Sequence, residues 1–569
     1  MIPAKPLKPS TSLLLALFAC HAPAPSLRAP APSTPDVAYT LELVEAPTPR
    51  LRITVELAAA PDGTTVFDLD PWGLVGPPEA IFQAVTATAD NRPVAVDHQA
   101  HAWVVHSAPR ARVVLRYEIP NDEGTDRVVR RHHPVVRPHL VHLFGNNALV
   151  SPHHLDDHRP KRIALHWAAF AEVGWTTLSS HGATAHAVVD LPLEQFRDAE
   201  FLASDRVQVV RRRAGGAELI TALVAASWPF GIDELADVTA KLMDTEAALI
   251  GESFPPVFLS DLVPFNADGY RGGTALHDAF VAQADTKQTL VEHGDRRGSL
   301  AWMFAHELLH SWIGRTIVPT VDDGEKWFIE GFTTFYARRV MVRAGLATVE
   351  DYAAQLDETL AEYAWSPIHG GPEVAFAVAD DAQRGMAYTR GDLIAVVVDA
   401  EIRRASAGKR SLDDVMRALV ADGRAGGKID AAKLIARFER ETSPAFAAKL
   451  RGVIERGDTV ELEPASFEPC LHGEVRKLDP FDLGFDFEKS EAAHRVVGLH
   501  AGSSAAAAGL REGEELAGWS FASQRVDQTV VLQVGTGLTK REVRFVPVGA
   551  PVPILQFRVG ERAACAARL

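Results

Sequence analysis

The sequence predicts a multidomain chain with an all-β N-terminal domain, a mostly helical middle domain and a small β-rich C-terminal domain. Three observations carry that expectation. At 569 residues the chain is too long for one hydrophobic core. From about Val37 to Trp228 the apolar period is two, in runs such as LRITVELAA, HAWVVHS and ARVVLRYEI broken by Pro, Gly, Asp and Asn clusters. Between Gly231 and Pro464 apolar residues recur three or four apart, as in GIDELADVTAKLMDTEAALIGE, GSLAWMFAHELLHSWIG and EDYAAQLDETLAEYAW, and from about Ser466 short β-like runs such as VVLQVG and VRFVPV return.

Ahead of these parts the chain reads as an export signal. Lys5 and Lys8 form a basic stretch, and Leu13 to Phe18 form an apolar run too short to remain as a spanning helix. Leu17-Phe18-Ala19-Cys20 resembles a bacterial lipobox, so Cys20 is expected to carry lipid and to begin the mature chain; an ordinary secretory cut nearby is the alternative. The following HAPAPSLRAPAPSTPD is rich in Pro, Ala and Ser, cannot pack a core and reads as a tether. The expected parts are therefore a signal at 1–20, a tether at 21–36, the β domain at 37–228, the helical domain at 229–465 and the C-terminal domain at 466–569. A periplasmic, lipid-anchored protein is expected, with no other contact with the membrane.

Composition is that of an ordinary globular protein, 47% hydrophobic and 23% charged. Acidic residues outnumber basic ones, 74 to 58, for a formal net charge of -16, and no block of like charge suggests a nucleic-acid tail. Nucleic acid is thereby excluded as an expected partner. Histidines crowd the stretch from His132 to His158, but their spacing matches no closed zinc pattern, and surface or loop histidines are expected there. Beyond Cys20 only Cys470 and Cys565 remain, a pair that an exported protein can bridge or leave as two thiols.

The chemistry gathers in the helical domain. Ser299 is a plausible N-cap and Gly314 a stop for one helix, which places His306 and His310 four residues apart on one face. Two imidazoles so stacked can reach one zinc ion, and Glu307 between them can contact a water at that ion. Five letters, HELLH, also fit a buried helix with incidental polar residues. The run WFIEGFTTFY reads as a second helix with a single acid, Glu330, nineteen intervening residues beyond His310. A catalytic zinc needs three protein ligands and an open position, and a carboxylate from a second helix supplies the third.

HELLHSW followed by WFIEGFTTFY resembles the gluzincin peptidases, specifically the glycyl aminopeptidase family and the related aminopeptidase N family. The gap is one residue longer than in aminopeptidase N, and Ile329 stands where that family commonly has Asn. The resemblance implies a thermolysin-like catalytic domain, one Zn2+ per chain and a peptide substrate. Ala387-Tyr388-Thr389-Arg390-Gly391 is similar to the Tyr-x-Lys-Gly segment of those families, which implies that Tyr388 stabilises the oxyanion, with Arg390 in place of Lys. Leu483-Gly484-Phe485 and VVGLHAGSSAAAAGLREGEEL resemble a bacterial PDZ domain, which implies capture of a peptide C-terminus and favours the glycyl aminopeptidase family, whose members carry such a domain. Upstream of the zinc helix those families have a Gly-rich strand ending in a glutamate that holds the substrate amine. The counterpart here, Gly272-Gly273-Thr274-Ala275-Leu276-His277-Asp278, lacks that glutamate, leaving His277 or Asp278 to take its place.

The implied reaction is metal-assisted peptide hydrolysis with Glu307 as proton carrier and Tyr388 as oxyanion donor. The rival expectation is a non-catalytic, membrane-tethered scaffold that presents the PDZ-like part.

Overall fold

A computed structural model describes residues 34–44, 48–122, 126–292, 299–321, 325–366, 370, 381–522 and 525–569. The signal, Cys20 and nearly all of the tether lie outside these residues. Among the described residues no helix is long and apolar enough to cross a membrane.

Alternation builds the N-terminal region. In Val37–Val44 every second side chain is buried (Val37, Tyr39, Leu41, Leu43), and Arg50–Ala58 repeats the pattern. The two strands pair antiparallel, Val37 opposite Leu57, inside a seven-stranded sheet, and two four-stranded sheets complete the region. Buried polar tips are satisfied: the Tyr39 and Tyr117 hydroxyls donate to the Val150 and Ala148 carbonyls, both at 2.9 Å.

A five-stranded mixed sheet follows, ordered Val207–Ala214, Ala217–Val224, Val257–Pro264, Ala279–Ala284, Arg271–Leu276, with the last as its edge. Its first two strands precede the boundary expected at residue 228. Period-two alternation marks a two-faced strand but does not say which sheet the strand joins. One face shares an apolar cluster with the N-terminal region (Phe144, Leu178, Leu202, Ala222, Leu259, Val281). The other shares the main cluster with the helices Ile232–Ile250 and Leu300–Leu309, through Leu219, Leu242, Phe258, Leu262 and Phe304.

The C-terminal part is divided differently from the expected 466–569. Leu471–Leu478 and Val552–Val559 pair antiparallel, with Leu478 opposite Val552, and both belong to the helical body. Leu471, Ile554, Phe557, Cys565 and Leu569 join its core, and the Phe557 N–H donates to Asp357 Oδ1 at 2.7 Å. Arg339 and Arg343 donate through Nε to the main-chain oxygen of Leu569 at 2.9 and 2.6 Å. Cys470 and Cys565 form a disulfide across 95 residues. Between the two strands, Leu483 to Phe545 makes a core of its own, with Phe485, Val496, Leu510, Leu532 and Val543 around a three-stranded sheet. In sequence the flanking strands look like those of the inserted unit; only their pairing separates them.

Candidate active site

The Ser299 hydroxyl accepts the Trp302 N–H at 3.4 Å and starts the helix Leu300–Leu309, with His310 at its C-cap. His310 Nδ1 lies 2.9 Å from the Ile313 carbonyl, so a proton there donates to it and leaves Nε2 as a lone-pair donor. The two Nε2 atoms of His306 and His310 are 3.3 Å apart. The His306 ring is flanked by Trp302, centroids 5.7 Å apart, and by Tyr388, 5.8 Å apart.

Glu330 arrives from the next helix, Lys326–Arg343. Its Oε2 stands 3.3 Å from His306 Nε2 and 3.5 Å from His310 Nε2, while Lys326 Nζ is 3.9 Å from Oε1. A tetrahedral zinc with ligand bonds of about 2.0–2.1 Å has ligand-to-ligand edges of about 3.3–3.4 Å, so this nearly equilateral triangle fits zinc. Burial works against the charge on Glu330, yet the two imidazoles hold its carboxyl well below the usual range. Burial likewise disfavours a proton on His310, but Glu330 outweighs it and pushes the imidazole up to about 9.

Glu307 faces the edge strand Arg271–Leu276. The Ala275 N–H donates to its carboxylate, and burial pushes its pKa up against the opposing pull of His310 and His306. A methyl group on Gly273 would stand 2.5 Å from Glu307 Oε1, which is why the strand needs glycine there. Tyr388, on the helix Asp381–Ala405, is 37% exposed at the cleft. Desolvation of its hydroxyl and the Glu330 and Glu307 carboxylates raise its pKa well above the ordinary value, so it remains a donor.

Two features that sequence reading missed hold these helices in register. A methyl group on Gly331 would strike the backbone of Gly391, and one on Gly391 would strike the Trp327 carbonyl, so the Glu330 and Tyr388 helices touch backbone to backbone. Two turns on along the Glu330 helix, buried Arg338 makes a bidentate pair with Asp392, both bonds 2.7 Å, and Thr359 adds a third at 3.1 Å. The glycines stand inside the two motifs, where they were the available signal of a close approach; nothing in the spacing signals the ion pair. Arg390, fully buried, donates to the Val453 and Asp458 carbonyls at 2.6 and 3.0 Å and so acts as an anchor.

Of the expected substrate-binding residues, Gly272, Gly273 and Thr274 lie on the edge strand, where Thr274 Oγ1 also meets His132 Nε2 of the N-terminal region at 3.1 Å. His277 and Asp278 lie past the strand's end, in a cavity of about 750 Å3 shared with Asp198 and Arg315. The charges acting on Asp278 are His277, Arg315, Arg424 and Asp198, not the triad. These two residues thus lie away from the triad, while Ala275 holds the strand position beside Glu307 and the strand ends at Leu276.

Two histidines one helical turn apart, a glutamate from the adjoining helix and a half-buried carboxylate beside them define a metallopeptidase-type site. Residues 299–384 match the family model described as M61 glycyl aminopeptidase, the resemblance that the motifs carry. The whole fold is similar to that of an aminopeptidase N family protein from Idiomarina loihiensis, with a TM-score of 0.71 at 15% identity, covering 93% of this chain and 99% of that one. An M1 zinc metallopeptidase from Deinococcus radiodurans aligns over 75% of this chain and 94% of its own at 16% identity, with a TM-score of 0.48. No curated protein matches the sequence.

Proposed function

We propose that this chain is an exported, zinc-dependent peptidase of the gluzincin, aminopeptidase-like type, and that His306, His310 and Glu330 hold one zinc. The observation that carries this reading is the 3.3–3.5 Å donor triangle with Glu307 and Tyr388 at its rim. When bound there, zinc would supply Lewis acidity toward a substrate carbonyl and acidify water. Glu307, its pKa raised by burial, accepts the proton of the attacking water and passes it to the leaving amine. Tyr388 donates its hydroxyl proton as a hydrogen bond to the oxyanion.

The edge strand orients the peptide. Ala275 directs its N–H to Glu307 and its carbonyl to Arg315, away from the neighbouring strand, so antiparallel alternation turns the Gly273 N–H and carbonyl the same way. An extended substrate can pair with them as an added strand. With Ala275 in place of an acid, nothing on that strand neutralises a free amine, and selectivity for free N-termini is weak.

The Leu483–Phe545 unit is the PDZ-like part and takes a peptide C-terminus at Leu483-Gly484-Phe485; its separate core and the left-handed Gly484 (φ 76°) support this. Lipid on Cys20 anchors the protein at the periplasmic face, which Cys20→Ser tests by releasing the chain to the soluble fraction.

The direct test of the enzyme reading is metal removal. Dialysis against a chelator should abolish cleavage of a mixed peptide library and stoichiometric zinc should restore it. Undiminished cleavage by zinc-free protein sinks the mechanism, and a zinc-loaded protein that cleaves nothing favours the scaffold.

A further inference from the structure

A second group of metal-ligating side chains lies where no substrate can reach. His142 sits on Leu140–Phe144 and Glu200 on the neighbouring Glu200–Ser204, both in the N-terminal region, while Asp261 comes from Val257–Pro264 of the five-stranded sheet. All three are 0% exposed. Each offers a donor atom within 4.8 Å of the others, and His142 Nε2 is 3.6 Å from Glu200 Oε1. They stand in the layer between the two sheets, among Phe144, Leu202, Leu259 and Val263.

Beyond the mutual pull of Glu200 and Asp261 and that of the Asp261 N–H, their polar atoms have no close partner. Both ring nitrogens of His142 and all four oxygens of Glu200 and Asp261 are buried without a hydrogen-bond partner. Two carboxylates in a dry layer cannot both ionise unless a positive charge joins them. Arg137 acts on His142 only through its charge and makes no bond to the cluster, and His132 beside it is itself held neutral by burial. Burial therefore pushes both acids up, Asp261 to about 7 against the pull of Glu200 and its own N–H, and drives His142 down to about 3, leaving a neutral imidazole. A neutral imidazole with two carboxylates is a ligand set for a divalent transition ion, and the imidazole disfavours calcium and magnesium.

We propose that His142, Glu200 and Asp261 bind a second divalent transition cation, of the zinc class, which joins the N-terminal region to the catalytic sheet. Two ionised carboxylates and one divalent ion sum to zero charge, which removes the cost of burying the acids. Either carboxylate chelating through both oxygens brings the donor count to four. A cavity of about 30 Å3, lined by His142 together with Asp122, Asp126 and four arginines, among them Arg137, abuts the site. Because the ligands come from both sheets, the ion binds only when the sheets have met, and its binding adds to their cohesion.

The test counts metal. Full-length protein loaded with zinc and dialysed should hold two equivalents by elemental analysis, and Asp261→Asn should hold one while still cleaving peptide. Equal zinc in the parent and Asp261→Asn overturns the proposal. Should that variant fail to fold, the Glu330→Ala protein, whose catalytic site is broken, replaces it: its Tm should rise with added zinc. An unchanged Tm overturns it equally.

Discussion

His306, His310 and Glu330 stand on two helices with a carboxylate and a phenol beside them, whereas His142, Glu200 and Asp261 stand on three strands in a fully buried layer. The residue types are nearly the same. What differs is the number of satisfied neighbours and access to solvent. In the first group each imidazole has a ring or carbonyl to orient it, and Tyr388 at 37% exposure marks the opening. In the second all three side chains are fully buried, so any ion held there is out of reach of a peptide. Access, not ligand chemistry, separates a place for catalysis from a place for cohesion.

The comparison can be broken most forcefully at Glu330. Glu330→Ala should reduce peptide cleavage to background and remove one equivalent of zinc, since two histidines alone hold it weakly; elemental analysis beside kinetics checks both. Retained zinc and turnover would erase the distinction between the groups. Glu307→Gln should keep the zinc and fold but cut kcat by about 10²- to 10⁴-fold, because an amide accepts no proton from water. Tyr388→Phe should keep the metal and lower kcat by about 10²- to 10³-fold, the loss expected for one oxyanion donor.

Packing comes next. Gly391→Ala should lower stability by about 1–3 kcal/mol through overpacking against Trp327 and Gly331, read as a fall in Tm. Because this shifts Glu330 relative to Tyr388, kcat should fall with it, and a stable, fully active variant would show that the helix contact does not set the site. The smallest effect is expected at the amine: N-acetylated and free peptides should be cleaved at comparable rates. Strict refusal of blocked peptides would mean that an acid elsewhere, with Asp278 the nearest on the chain, holds the amine.

The catalytic group was legible because its determinants are local. His306 and His310 share one helical face by spacing alone, and Glu330 follows within a single connection. His142 was not legible as a ligand. It lies in a histidine-rich stretch where surface residues were expected, and several are such: His139, His153 and His158 pair with Asp205, Asp68 and Glu194, each at 2.8 Å. Only strand pairing and sheet stacking, which tie positions 142, 200 and 261 together, bury His142. The same limit moved the domain boundaries, because alternation at Val207–Val224 and again at Leu471 and Val552 identifies strands without naming their partners. At the edge strand the sequence announced the loss of a glutamate but not where the chain went afterwards.

Leu478 and Val552 face each other as paired residues, so the Leu483–Phe545 unit leaves and rejoins the body at points about 5 Å apart. It is a cassette plugged into a hairpin. A two-residue turn could close the hairpin in its place, leaving the disulfide, the Asp357 contact and the Leu569 clasp on Arg339 and Arg343 intact. Truncation at Pro464 would instead strip all three from the body that carries Glu330. On the proposed reading of that unit, the socket would accept a different module with no demand on the active site, so peptide capture and peptide cleavage could be exchanged or tuned independently on one chain.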